Sequence, residues 1–441
     1  VSAIVSVFKD ADLRKKILFT IAMIVLYRIG TQIPTPGVDY STVMQALKSA
    51  TADGSNIYSM VNLFSGGALL QLSIFAIGIM PYITASIIVQ LLTVVIPRFE
   101  ELKKEGQSGQ AKMMQYTRYL TIALALLQSS GIVALADRGQ LLGNGVSVLK
   151  ADRSIFDLVI IVLTMTAGAV LVMWIGELIT ERGIGNGMSL LIFAGIATRM
   201  PSQGMQVLES SGGVVFAAVV VAVLILVVGV VFIEQGQRRI PVQYAKRMVG
   251  RRQYGGTSTY LPLKVNQGGV IPVIFASSLI YVPVLITQII NSGSQQMGDN
   301  WWQRNVIQYL QAPSSWQYIV LYFVLIIFFS YFYVSVQYDP NEQADNMKKY
   351  GGFIPGIRPG RPTAQYLGYV MNRLLFVGAL YLGIIAVLPN IMMDFGIAGA
   401  GGGALRAFGG TAILILVSVA LTTVKQIESQ LLQSNYEGFL K

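Results

Sequence analysis

Long apolar runs separated by short basic, polar or glycine-rich segments dominate the chain. The run from Gly212 to Ile233 carries no charge over more than the ~20 residues that a helix needs to cross hydrocarbon. Runs of this kind predict ten spanning helices, near 17–34, 73–95, 117–135, 154–175, 186–200, 213–234, 269–290, 316–338, 366–388 and 409–424. The first follows Lys9, Arg14, Lys15 and Lys16 but continues through Arg28 without a small-residue cleavage site, so it reads as a retained span. The segment MVNLFSGGALLQL, Met60 to Leu72, is too short to span and has paired glycines where a helix would break. Irregular backbone at membrane depth survives only inside protein or beside water, so this piece is expected to be re-entrant, within the bundle on the external side.

One pattern occurs twice. GIMPYITASII begins at Gly78 and GVIPVIFASSLI begins at Gly269, so that Gly78, Pro81, Ile83, Ala85 and Ser86 match Gly269, Pro272, Ile274, Ala276 and Ser277 at a spacing of 191 residues. The copies fall in the second and seventh predicted spans. Five helices per half is an odd number, which inverts one half relative to the other, and inverted repeats place a central site at their interface. The expected division is 1–203 and 204–441, with a hinge in an external loop at 201–212. Pro81 and Pro272 are expected to remove backbone hydrogen bonds and let each helix bend.

Composition agrees with a polytopic membrane protein: 54% hydrophobic residues, 12% charged residues and a mean hydropathy of +0.60 over 441 residues. The basic clusters Lys9–Lys16, Arg98–Arg118, Arg238–Lys264 and Lys348–Arg361 share one side, which predicts cytoplasmic N- and C-termini. The opposite loops hold scattered cations, Lys48, Arg138, Lys150, Arg153, Arg199, Arg304 and Arg406. The net charge of +11 is therefore gathered on one face, suited to anionic lipid, ribosomal RNA or an acidic protein.

With no cysteine and no histidine, disulfides, thiolate or imidazole metal ligands and any His-dependent triad are excluded. GxxxxGK[ST], GxSxG and HExxH are missing, and the glycine-rich GIGNGMS, Gly183–Ser189, follows a membrane helix rather than a strand. No catalytic residue, metal ligand or cofactor is expected. Glu177, Glu181 and Glu234 sit at span ends, which weighs against an ion-coupled relay. What lines the candidate pathway is isoleucine: Ile79, Ile83 and Ile87 follow one helical stripe, with Ile274 as the counterpart of Ile83. Apolar side chains meeting at a pseudo-two-fold would form a constriction that sheds water and resists ions, whereas packing or lipid contact is the plainer account of such a stripe. An inverted-repeat secondary transporter or lipid flippase competes with a channel here, but it calls for polar groups near the midplane and the sequence offers few. The loop at 235–268 is long for a connector, carries seven cations between Glu234 and Gly269, and its β-rich residues around paired glycines suggest a hairpin. The loop at 339–365 holds Arg358 between Gly356 and Pro359, which favours a contact over a merely solvated charge.

The motifs FSGGAL, GIMPYITASIIVQLL, ITERGIGNGMS, GQRRI, LPLKVN, GVIPVIFASS, ADNMKK and GIRPG, in this order, resemble those of the bacterial SecY family, the channel subunits of the Sec protein translocase, over essentially the whole length. The resemblance implies an all-α protein-conducting channel with an hourglass pore, which passes unfolded polypeptides across the cytoplasmic membrane and inserts membrane proteins sideways. It implies an apolar pore ring at Ile79, Ile83, Met188, Ile192, Ile274 and Ile415. It places a plug at 60–72 that includes Asn62, Leu63, Phe64, Ser65, Gly66 and Gly67. Spans two and three would face spans seven and eight across a lateral gate that includes Pro81, Ser86, Gln128, Pro272, Ser277 and Ser278. Arg251, Arg252 and Arg358 match docking positions for the SecA motor ATPase or the ribosome. SecE and SecG subunits, signal-peptide-bearing preproteins and membrane lipid are the other implied partners.

Overall fold

The computed structural model describes residues 10–43, 66–69, 71–137, 147, 149, 154–244, 247–249, 252–254, 258–291, 308–311, 315–394 and 410–438. Helices α1 (Ala11–Gln32), α2 (Met80–Val95), α3 (Pro97–Lys104), α4 (Gln107–Asp137), α5 (Ile155–Arg182) and α6 (Gly187–Gln235) precede four strands. These are β1 (Gln237–Tyr244), β2 (Arg247–Val249), β3 (Arg252–Tyr254) and β4 (Ser258–Lys264). Then come α7 (Ile271–Asn291), α8 (Trp316–Gln337), α9 (Pro340–Lys349), β5 (Gly352–Phe353), α10 (Arg361–Asp394) and α11 (Gly410–Gly438). Side chains fix several starts: Asp10 accepts from the Asp12 amide, Asn186 from those of Met188 and Ser189, and Ser154 forms a capping box with Asp157.

Each predicted span falls on one of these helices, and α6 supplies two of them because Gly212 (φ 80°, ψ 168°) breaks it. The loop expected at 201–212 is thus helical up to that glycine. Among the described residues six helices are long and apolar enough to cross a membrane, and α2 with α3, bent by 100° on either side of Ile96, makes a seventh candidate. The protein is an all-α polytopic membrane protein with two small sheets, one ordered β4-β1-β5 and the other pairing β2 with β3.

The sequence repeat is also a repeat of backbone contacts. Ile33 and Gly236 each end a helix and each accept from a distant amide, that of Ile74 and that of Val265, both at 3.0 Å. A glycine from another helix rests on the carbonyl of each of those two residues. A Cβ at Gly168 of α5 would stand 2.0 Å from the Ile74 oxygen, and one at Gly378 of α10 would stand 2.4 Å from the Val265 oxygen. Gly78 and Gly269 then turn through φ of 61° and 60°, a left-handed conformation that favours glycine. Each following helix opens on the same bond, from the Ile83 amide to the Ile79 carbonyl at 3.1 Å and from the Ile274 amide to the Val270 carbonyl at 3.2 Å. Positions 74 and 265, 78 and 269, and 83 and 274 all keep the 191-residue spacing of the motif.

This geometry corrects the expected role of the two prolines. Residues 71–79 are turns, not the beginning of a span, and α2 starts at Met80, as α7 starts at Ile271. Pro81 and Pro272 therefore occupy the first helical turn, where an amide has no intrahelical partner to lose. They start their helices rather than bend them. The proline that lies inside α7 is Pro283.

Most buried apolar side chains belong to one continuous core, to which α2, α4, α5, α6, α7, α8 and α11 all contribute. A smaller cluster of Ile240, Leu263, Val334, Ile354, Leu367 and Leu375 fastens β1, β4 and the β5 loop onto the ends of α8 and α10. By contrast the half of α6 beyond Gly212 bares Val214, Ile225, Val228 and Phe232, an apolar surface of the kind that lipid covers.

Candidate functional site

Helix α7 packs against α2 and α4 as well as α8, so the two copies of the repeated motif meet. Ile79, Ile83, Ile192, Ile274 and Ile415 are all buried members of the one core, at 2%, 8%, 2%, 6% and 1% exposure. None of the five is turned outward. Met188 is only partly buried and packs against that core with its sulfur beside α5: Sδ lies 2.4 Å from where a Cβ at Gly176 would be. The thioether thus occupies space that only a glycine leaves open.

The polar residues of the same helices divide by burial. Gln128 of α4 and Ser277 and Ser278 of α7 are buried, while Ser86 of α2 is half-buried. The Ser277 hydroxyl donates to the Ile274 carbonyl at 2.8 Å, whereas the Ser278 hydroxyl has no partner among the described residues. Thr84 donates back to the Met80 carbonyl at 3.0 Å. Behind this wall Arg118 of α4 holds the buried Glu177 of α5 through two bonds, Nε to Oε1 at 3.0 Å and Nη2 to Oε2 at 2.8 Å, a bidentate pairing that fixes the two helices' mutual register.

Of the expected plug, Asn62, Leu63, Phe64 and Ser65 lie outside the described residues. Gly66 and Gly67 are described, and both take positive φ, 65° and 96°, as the paired-glycine break required. Arg28 of α1 donates to the Gly66 carbonyl at 3.1 Å. The Cα of Gly195 in α6 would meet a Cβ at Gly66 at 3.0 Å, and Nε of Arg199 would meet one at Gly67 at 3.3 Å. Sequence reasoning missed this pair of arginines, counting Arg199 among scattered external cations. An arginine inside an apolar span, as Arg28 is, was the available signal.

The two basic loops turn out to form one platform. β1 and β4 pair antiparallel from Gln237 with Lys264 to Gln243 with Ser258, the hairpin suggested by the sequence. β5 adds to the free edge of β1, with Gln243 opposite Phe353 and Tyr244 opposite Gly352. Nothing in the sequence signalled that joint, because β5 is two residues long. Arg239 lies over the Tyr260 ring at 4.9 Å. Arg358 is exposed on a turn between Gly356 (φ 83°) and Gly360 (φ 102°), its carbonyl capped by the Thr363 hydroxyl at 2.9 Å. Arg252 begins β3, and Arg251 lies outside the described residues. On α3, Lys104 pairs with Glu100 at 2.8 Å.

Comparisons with known proteins place this geometry. A family model described as SecY matches residues 73–424. The protein translocase subunit SecY of Corynebacterium glutamicum is 81% identical over 440 residues, covering 100% of both chains. The Mycobacterium tuberculosis protein of the same name is 66% identical over 442 residues, again covering 100% of both. A solved structure of a protein-conducting channel superposes with a TM-score of 0.66 at 19% identity, covering 95% of this chain and 93% of that one. Sec61 in a canine ribosome–channel complex superposes with a TM-score of 0.61 at 18% identity, covering 94% and 92%. With an apolar core gathered where two copies of one motif meet, and with relatives matched from end to end, the chain belongs to the SecY family and is a subunit of a protein-translocation channel.

Proposed function

We propose that this channel is passive and works by parting its two halves. Residues 1–203 and 204–441 form inverted halves in the cytoplasmic membrane, with both termini in the cytoplasm, and unfolded polypeptide is threaded outward between them. Apolar segments leave sideways into lipid through a lateral gate, with α2 and α4 on one side and α7 and α8 on the other. Pro81 and Pro272 set the start of the two facing helices, and Ser86, Gln128, Ser277 and Ser278 bias the gate's closure.

Ile79, Ile83, Ile192, Ile274 and Ile415 are the stiff members of a pore ring and Met188 its pliable member. In the resting state the plug at 60–72, with Asn62, Leu63, Phe64 and Ser65 at its centre, blocks the pore, held at Gly66 and Gly67 by Arg28 and Arg199. The chain contributes no catalysis of its own. A partner docked on Arg251, Arg252 and Arg358, either the SecA motor ATPase or the ribosome, delivers the energy, and SecE and SecG complete the complex. Ribosome-bound relatives such as Sec61 and Ssh1 support the docking face.

The observation that carries this assignment is the packing of α7 on both α2 and α4 while Ile79, Ile83 and Ile274 stay buried. A photo-crosslinking residue at position 83 or 274, tested with a preprotein stalled in transit, examines it directly. Adducts to the stalled chain are expected there and not at the exposed Val214. Adducts to lipid alone at 83 and 274 would overturn the pore assignment.

A further inference from the structure

The two copies of the repeated device differ at one place. In the first copy the turn before α2 is held by apolar packing: the Phe75 ring stacks on Tyr27 with centroids 5.9 Å apart, and it fills the space beside Gly30, where a Cβ would come within 2.0 Å. In the second copy the residue at the same 191-residue spacing is Asn266, which is buried. Its amide nitrogen donates to Glu234 Oε1 at 2.5 Å and to the Gly269 carbonyl at 3.1 Å.

Those two acceptors belong to different functional parts. Glu234 is the penultimate residue of α6, two residues before Gly236 at the root of the basic hairpin, whose first rung is the Val265 amide on the Gly236 carbonyl at 3.0 Å. Gly269 is the left-handed residue that launches α7. Three further elements close on the group. Ser418 Oγ of α11 stands 3.9 Å from where a Cβ at Gly269 would be, Lys264 and Lys425 lie in the field of Glu234, and Gly378 of α10 seats the Val265 carbonyl. A polar side chain therefore joins the hairpin's root to the first turn of α7 in a place where the other half uses rings.

We infer that Glu234 and Asn266 are positioning residues that tie the start of α7 to the root of the hairpin, so that a partner displacing the hairpin also displaces the gate helix. The inference rests on the docking face proposed above. Hydrogen bonds suit this work better than ring packing: they are directional, so a tilt of the hairpin changes their geometry at once, whereas stacked rings slide.

The chain has no cysteine, so two spin labels can report independently, one on the exposed hairpin residue through Thr259→Cys and one on the exposed face of α7 through Leu279→Cys. Each is placed in the parent and in Asn266→Leu, in lipid discs with SecE and SecG, and spectra are compared with and without purified bacterial ribosomes. In the parent, ribosomes are expected to shift both labels. In Asn266→Leu they should shift the hairpin label alone, and in Glu234→Gln, which retains an acceptor oxygen, both responses should return. An α7 label that still responds in Asn266→Leu overturns the tie. A hairpin label unmoved in the parent sinks the docking face itself and the tie as a transmitter with it, so the two failures are told apart. Should Asn266→Leu not fold, Asn266→Asp, which keeps the size but puts two acceptors against Glu234, should show the same uncoupling, and a normal α7 response in it counts against the tie.

Discussion

Lys103 of α3 donates from Nζ to the carbonyl oxygen of Val336 in α8 at 2.6 Å, joining the connector between α2 and α4 to the far wall of the proposed gate. Its neighbour Lys104 is taken up by Glu100, so the two lysines have separate partners. Both ends of the Lys103 bond are exposed, and a bond of this sort contributes only about 0.5–1 kcal/mol. Lys103→Met keeps the stem and removes the donor. The gate should then open more readily, raising export of a preprotein with a weakened signal sequence by about two- to fivefold relative to an intact one, as that energy dictates. An unchanged ratio would detach Lys103 from gating.

Ser278 acts in the opposite sense. Its hydroxyl is buried at 1% exposure without a partner among the described residues while α7 is packed against α2 and α4. An orphaned buried hydroxyl costs about 1–3 kcal/mol, and here the penalty falls on the packed state. Ser278→Ala removes it, so the closed channel should gain stability and single-channel open probability should fall by about tenfold. A rise in open probability would show that Ser278 finds its partner when the gate is shut.

The glycines that seat the repeated turns set a third test. A methyl at Gly168 or Gly378 would press on a backbone carbonyl, which cannot swing aside as a side chain does. Gly168→Ala and Gly378→Ala should each destabilise the fold by about 1–3 kcal/mol or more. Gly229 is the control, since a Cβ there meets nothing within 4 Å, and Gly229→Ala should be neutral or stabilise the helix by up to about 1 kcal/mol. Thermal unfolding of the purified protein in detergent compares the three. Equal midpoints for all would mean that the repeat carries no packing constraint.

These glycines also mark how far the sequence could be read. Each apolar run of the sequence falls on a helix, because a bilayer demands long apolar runs whatever they touch. Among the described residues six of these helices, with the bent pair α2 and α3 as a seventh, are long and apolar enough to cross a membrane. The repeat of Gly78 in Gly269 pointed to the two helices that pack together. Hydropathy misled about Pro81, since apolar turns at 71–79 have the same hydropathy as helix and shift the apparent start of α2 by a full segment. The seat of Gly378 on the Val265 carbonyl left no local trace, whereas the reach of Arg28 to the Gly66 carbonyl was marked only by an arginine standing inside an apolar span. Asn266 carries no visible role inside LPLKVN, because a lone asparagine near a loop is ordinary until its partners are known.

The proposed pore ring makes a prediction about ions. Buried apolar side chains exclude water, and a constriction without water resists charge. Ile83→Gly shortens the seal and Ile274→Asp wets it, so either variant should raise the resting conductance of channels in planar bilayers, more so when residues 60–72 are deleted. Conductance equal to the parent in both backgrounds would remove Ile83 and Ile274 from the constriction.

The platform formed by β1, β4 and the β5 loop predicts a separation of docking from folding. Arg358 is exposed on a turn fixed by two left-handed glycines, so its charge is available and its position is set before any partner arrives. Preorganisation of that kind makes a contact stronger than a freely waving arginine would. Arg358→Glu, alone and with Arg252→Glu, should weaken ribosome or SecA binding by about tenfold per reversal, the scale expected for losing a charge pair and gaining a repulsion. The loss should be larger at low salt than at high salt, because exposed charges are screened. The unfolding midpoint should not move, since Arg358 lies outside the cluster of Ile240, Leu263 and Leu367 that holds the platform together. Binding that weakens only in step with the midpoint would make Arg358 a structural residue and leave the docking face without its anchor.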